Sequence, residues 1–102
     1  MKEILRKKRL DLRNKTTEAL YEAILSLRNL KETKRFFRDL LTEPEIVEFG
    51  NRFKAAGMLN GKFSYREIIC ETGLSSRTVA RISKWLNGGT GGYKLMLKRI
   101  RK

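Results

Sequence analysis

A chain of 102 residues has room for one domain and a modest core. Its 24 Lys and Arg outnumber 11 Asp and Glu, a formal net charge of +13 that implies a polyanionic partner, either nucleic acid or an acidic membrane surface. One cysteine and no histidine exclude an internal disulfide, a Cys/His metal centre and a nucleophile–histidine pair.

Cys70 reads as a small helix residue in a reduced, cytoplasmic setting. The opening "MKEILRKKRLDL" is basic but lacks the apolar run of a signal peptide. No apolar segment approaches the roughly 20 residues needed to span a bilayer, so no membrane partner is expected. The pattern is helical almost throughout, in one domain over 1–102. Residues 10–60 form dimerisation helices, 64–86 a helix-turn-helix, and 87–102 a hinge and a C-terminal helix.

The first helix is expected from about Leu10 to Leu30. Leu20, Ile24 and Leu27 share one face, and Tyr21, Leu25 and Leu30 widen it well past a single stripe. A small monomer has little core to cover so broad an apolar surface, which points to a homodimer. "KETKRFFRDLL" predicts a short second helix anchored by Phe36, Phe37, Leu40 and Leu41. In "LTEPEIVEFGNRFKAAGMLNGK", Thr42 is the N-cap, with Glu43 and Glu45 at the positive end of the dipole and Pro44 in the first turn. Ile46, Phe49, Phe53 and Ala56 make its inward stripe, Gly50 shares that face, and Asn60-Gly61 ends the helix.

"FSYREIICETG" opens with Ser64 and Glu67 in capping-box spacing, with Tyr65, Ile68, Ile69 and Thr72 on one face. Gly73 stops this helix and Ser75 caps the next, about Ser76 to Leu86, whose Val79, Ile82 and Leu86 lie together. Asn87 to Gly92 reads as a flexible hinge. "YKLMLKRIRK" closes the chain with Tyr93, Leu97 and Ile100 as its apolar edge.

Two short helices around a glycine turn make a helix-turn-helix signature. Leu74 plugs the corner, and Val79 and Ile82 pack back. Ile69 stands where the common pattern has a small residue, which implies a slightly different crossing of the two helices. In projection at about 100° per residue, Arg77, Arg81 and Lys84 form a ridge opposite the apolar side. Such a helix buries one edge and offers cations on the other. Arginine can pair with guanine O6 and N7 or hold a phosphate. Ser75, Ser76 and Thr78 sit at the helix end that enters a major groove. The last acidic residue is Glu71, and eight Lys and Arg follow it. Catalysis finds no support: "GGTGG" follows a helix and lacks the P-loop lysine, and Glu43, Glu45 and Glu48 crowd a helix start where the dipole explains them. No enzyme, metal or cofactor is expected.

"LTEPEIVEFGNRFKAAGMLNGKFSYREIICETGLSSRTVARISKWLN" resembles the Trp repressor superfamily. The flanking "LYEAILSLRNLKETKRFFRDL" and "LNGGTGGYKLMLKRI" resemble its YerC/YecD-type branch. The resemblance covers roughly Leu20 to Ile100. It implies an all-α fold, an intertwined homodimeric helix bundle with two DNA-reading heads. The family's pocket threonine and two arginines fall on Thr42, Arg52 and Arg81. The glycine that faces the corepressor's indole falls on Ile82, and the serine that holds its amino end falls on Trp85. Thr42, Arg52, Arg81 and Trp85 would therefore form any effector pocket, with tryptophan itself excluded by bulk.

The expectation is a cytoplasmic, homodimeric, sequence-specific repressor of double-stranded DNA. Ser75, Ser76, Arg77, Thr78 and Arg81 would lie in the major groove, and Lys62, Lys84 and the tail lysines would hold phosphate. The two grooves would lie roughly 34 Å apart. The alternative is a non-catalytic oligomeric module that binds nucleic acid without sequence choice, or a partner protein. An RNA-binding dimer is a third reading, disfavoured by the scarcity of exposed aromatics suited to base stacking.

Overall fold

The computed structural model describes residues 15–100, and every regular element among them is a helix. These are α1 (15–25), α2 (Leu30–Leu40), α3 (Glu43–Asn60), α4 (Tyr65–Thr72), α5 (Ser76–Gly88) and α6 (Gly92–Ile100). The chain divides into two compact units, one up to Leu40 and one from Leu41 onward.

In the first unit, the single helix expected over 10–30 is interrupted; residues 10–14 of it lie outside those described. The Ser26 amide donates to the carbonyls of Glu22 and Ala23, and the Leu27 amide reaches only Ile24, at 3.1 Å. Bonds to the third residue back tighten a last turn and stop propagation. Asn29 then opens α2. Its Oδ1 accepts from the Glu32 amide at 2.9 Å, and the Glu32 carboxylate accepts from the Arg28 amide at 3.0 Å. Leu27 and Leu30 therefore leave the α1 stripe. Phe36 and Phe37 meet with ring centroids 5.8 Å apart. No residue from 15 to 40 is buried, and Leu25 is 85% exposed.

The second unit has a true core. Ala55, Ala56, Ile68, Leu74, Val79 and Ile82 are buried together, with Met58, Leu59, Ile69, Tyr93 and Leu97 packed against them. α3 begins with a full capping box: the Glu45 amide donates to Thr42 Oγ1 at 3.3 Å, and the Thr42 amide donates to the Glu45 carboxylate at 2.9 Å. The Thr42 amide, then its hydroxyl, hold the Glu45 carboxyl below its ordinary pKa of 4.5. The expected inward stripe of α3 is buried only at its far end. Ala56 is sealed, Ile46 and Phe53 are half-buried, and Phe49 and Gly50 are exposed. Within this unit the core sits against Ala55–Leu59, and no residue from 43 to 54 is fully buried.

α3 ends at Asn60 with Gly61 as its cap, as expected, although the left-handed residue is the one after it. Gly61 has an ordinary φ of −86°, and Lys62 takes the left-handed conformation at φ 69°. α4 opens on the Ser64–Glu67 capping box and closes on Gly73 at φ 73°. Buried Thr72 knits the turn: its hydroxyl donates to the Ile68 carbonyl at 2.7 Å and accepts from the Leu74 amide at 3.2 Å. α5 runs two residues beyond the expected Leu86, because the Asn87 amide group bonds the Ser83 carbonyl at 2.9 Å and the Gly89 amide reaches Trp85. The expected hinge of 87–92 shrinks to residues 89–91. A Cβ on Gly89 would stand 2.5 Å from the Trp85 carbonyl oxygen, so glycine is required there. α6 seats Tyr93 and Leu97 on the core and leaves Ile100 exposed.

Candidate nucleic-acid interface

The site is built on α4, the turn and α5. Ile68, Val79 and Ile82 are the largest fully buried side chains, and they lock the two helices face to face. The left-handed Gly73 and the Thr72 hydrogen bonds set the angle at which α5 leaves the turn. Ser75 is the N-cap: its hydroxyl accepts from the Thr78 amide at 3.1 Å and donates to the Thr78 hydroxyl at 3.0 Å. Two of the hydroxyls expected at the groove are thus engaged with each other. Ser76 is exposed and keeps its hydroxyl free among the described residues.

Arg77, Arg81 and Lys84 are all exposed, on the side of α5 opposite the buried Val79, Ile82 and Leu86. Ion pairs of this unit include Arg52–Glu48 at 3.1 Å and Lys54–Glu71 at 3.3 Å, both anchored on α3. They leave Arg77, Arg81 and Lys84 without an anionic partner among the described residues. α5 carries no carboxylate of its own. The ridge is therefore a line of uncompensated charge on a helix whose other side is packed into the core, a surface that attracts polyanions.

Ala80 also lies on this outward face and is exposed. Its short side chain lets a surface come close between Arg77 and Lys84, and its methyl suits contact with a thymine methyl. Sequence inspection for charge passes over it, although the same helical projection places it. Lys62 is exposed in the turn before α4, and Arg66 is exposed on α4 itself.

The four residues of the expected effector pocket are dispersed in what they do. The Thr42 hydroxyl is spent on the α3 cap. Arg52 pairs with Glu48, and its guanidinium lies 5.9 Å from the Phe49 ring centre. Arg81 belongs to the α5 ridge. Trp85 is half-exposed in an open cavity of about 990 Å³, whose walls include Phe53, Lys84, Tyr93 and Met96. Thr42, Arg52 and Arg81 do not line that cavity. Ile82 is fully buried in the core.

Among the described residues, no helix is long and apolar enough to cross a membrane. The profile of the Trp repressor protein family matches residues 15–101. The chain belongs to the Trp repressor family. It is 40% identical over 91 residues to the uncharacterized protein YerC of Bacillus subtilis, spanning 89% of this chain and 88% of that one. A TrpR-like protein from Eubacterium eligens superposes with a TM-score of 0.80 at 38% identity, covering 84% of this chain and 89% of the other. A Trp repressor candidate from Staphylococcus aureus gives the same TM-score of 0.80 at 34% identity, over 88% and 90%. The fold is all-α and Trp repressor-like, and the branch is YerC-type, as the flanking segments implied.

Proposed function

We propose that this protein is a homodimeric, sequence-specific DNA-binding repressor that reads the major groove with α5. The observation that carries the reading is the uncompensated Arg77–Arg81–Lys84 ridge on a helix whose other side is sealed into the core. Ser76, Arg77, Ala80 and Arg81 would meet base edges, with Ser75 and Thr78 holding the helix end in shape. Lys62 and Lys84 would take phosphates. Family membership supports a DNA-binding regulator rather than an enzyme.

The homodimer rests on the first unit. With no buried residue from 15 to 40, and with Tyr21, Leu25 and Leu30 exposed, its helices have no core of their own. A second copy supplies that cover at the least expense in new surface chemistry. Two heads would then read half-sites about one helical turn apart. The setting would be cytoplasmic. Tryptophan is not the corepressor in this reading: Ile82 occupies the position of the indole-facing glycine and is already committed to the core. Any effector would draw on Thr42, Arg52, Arg81 and Trp85 after rearrangement of the Arg52–Glu48 pair.

The test is competition between a selected duplex and random duplex over a salt series. A sequence-specific repressor retains preference for the selected duplex as salt rises. A coat on nucleic acid loses both together, since non-specific binding is almost wholly electrostatic. Equal loss at every salt concentration favours the alternative of a non-catalytic interaction module.

A further inference from the structure

The second unit carries another group of cations away from α5. Asn60 at the end of α3 and Lys94, Leu97 and Lys98 on α6 line one cleft of about 440 Å³. Lys94 and Lys98 are four residues apart, hence neighbours on the helix surface, and both are exposed. α6 is pinned by Tyr93 and Leu97 on the core, so the lysine stems leave from a fixed face. Neither ammonium group nor the Asn60 amide has a partner among the described residues.

No carboxylate lines the cleft. Like charges one helical turn apart repel each other, and an anion between them reverses the sign of that interaction. The Leu97 wall lowers the local dielectric and concentrates the field. The backbone of the adjoining turn is already engaged: the amides of Gly61, Lys62 and Phe63 bond the carbonyls of Gly57, Leu59 and Met58 at 3.0 Å each. Any ligand must therefore be held by side chains. Those side chains offer two point charges and one amide donor, a set suited to a tetrahedral oxyanion.

We propose that the Asn60–Lys94–Lys98 cleft is a phosphate site, separate from α5, that grips one backbone phosphodiester of the bound duplex. This rests on the DNA-binding reading for its ligand, but on its own residues for the chemistry. It touches no base edge, so it adds affinity and salt dependence without adding sequence preference.

The experiment measures duplex affinity against salt for the full chain and for Lys94→Gln/Lys98→Gln. Loss of one phosphate contact flattens the log–log slope by about 0.9 per protomer. Preference between selected and random duplex stays unchanged, and Lys94→Arg/Lys98→Arg restores the slope. In parallel, the Asn60 side-chain amide signal is followed by NMR as duplex or inorganic phosphate is added. Duplex shifts it in the wild type and not in the Gln variant. The proposal is overturned if the slope is unaltered, including the case where inorganic phosphate alone moves the Asn60 signal. It is also overturned if Lys31→Gln/Lys34→Gln, an equal charge loss in the first unit, flattens the slope as much. Arg77→Ala separates this result from the reading-head proposal: weakened binding by that variant beside an unchanged Gln slope removes the cleft alone. Absence of any duplex binding by the wild type removes both.

Discussion

Arg77→Ala is the most direct challenge to the reading head. The Arg77 side chain is exposed and has no ion-pair or hydrogen-bond partner among the described residues, so truncation breaks nothing in the free protein. Surface changes of this kind move stability by no more than about 0.5 kcal/mol. A guanidinium that pairs with a guanine edge is worth about 1–3 kcal/mol of binding, hence about 5- to 150-fold in affinity per head. The two effects separate cleanly. A thermal melt of the variant should overlay the wild type, while fluorescence anisotropy on a selected duplex shows the affinity loss. The same titration on duplexes changed at one base pair shows relaxed discrimination at that position. A uniform loss across all duplexes, with a flatter salt slope, would mean that Arg77 holds a phosphate. Unchanged affinity would refute the assignment of this face to DNA.

Ile82→Ala opens a cavity between α5 and the core and should cost about 2–5 kcal/mol, read as a lower denaturation midpoint with unaltered slope. Gly73→Ala tests backbone conformation alone: no atom lies within 4 Å of the added Cβ, so the left-handed φ of 73° is the whole penalty, about 1 kcal/mol by chemical denaturation. Glu45 supplies a pH signature. Its folded pKa lies below 4.5, so its contribution is present above the unfolded value and disappears as pH falls through the folded one. Thr42→Ala should shrink that acid-side increment without abolishing it, because the backbone amide of residue 42 still donates to Glu45, and should lower the whole curve by about 1 kcal/mol through loss of the cap.

Much of this architecture was legible because local chemistry announced it. Ser64 with Glu67, Ser75, and Gly73 each mark a helix boundary by a mechanism that acts within four residues, and the structure places all of them as expected. The ridge of Arg77, Arg81 and Lys84 follows from helical spacing and a buried opposite face. The misses have equally local causes. Asn29 and Glu32 carry a capping signature, yet the continuous run of leucines across Leu25, Leu27 and Leu30 masks it. Lys62 takes a left-handed conformation beside a glycine that could have done so, because three consecutive amides of that turn bond back into α3. No spacing rule reveals that.

The bareness of α1 and α2 has a thermodynamic corollary. Helices that shelter none of their own side chains have no folding midpoint independent of whatever shields them. In the proposed homodimer, dilution should therefore melt the first unit before the second, which has a buried core of its own. Abundance in the cell would then act as a dial: below a threshold concentration, intact heads would persist on chains unable to clasp DNA two at a time.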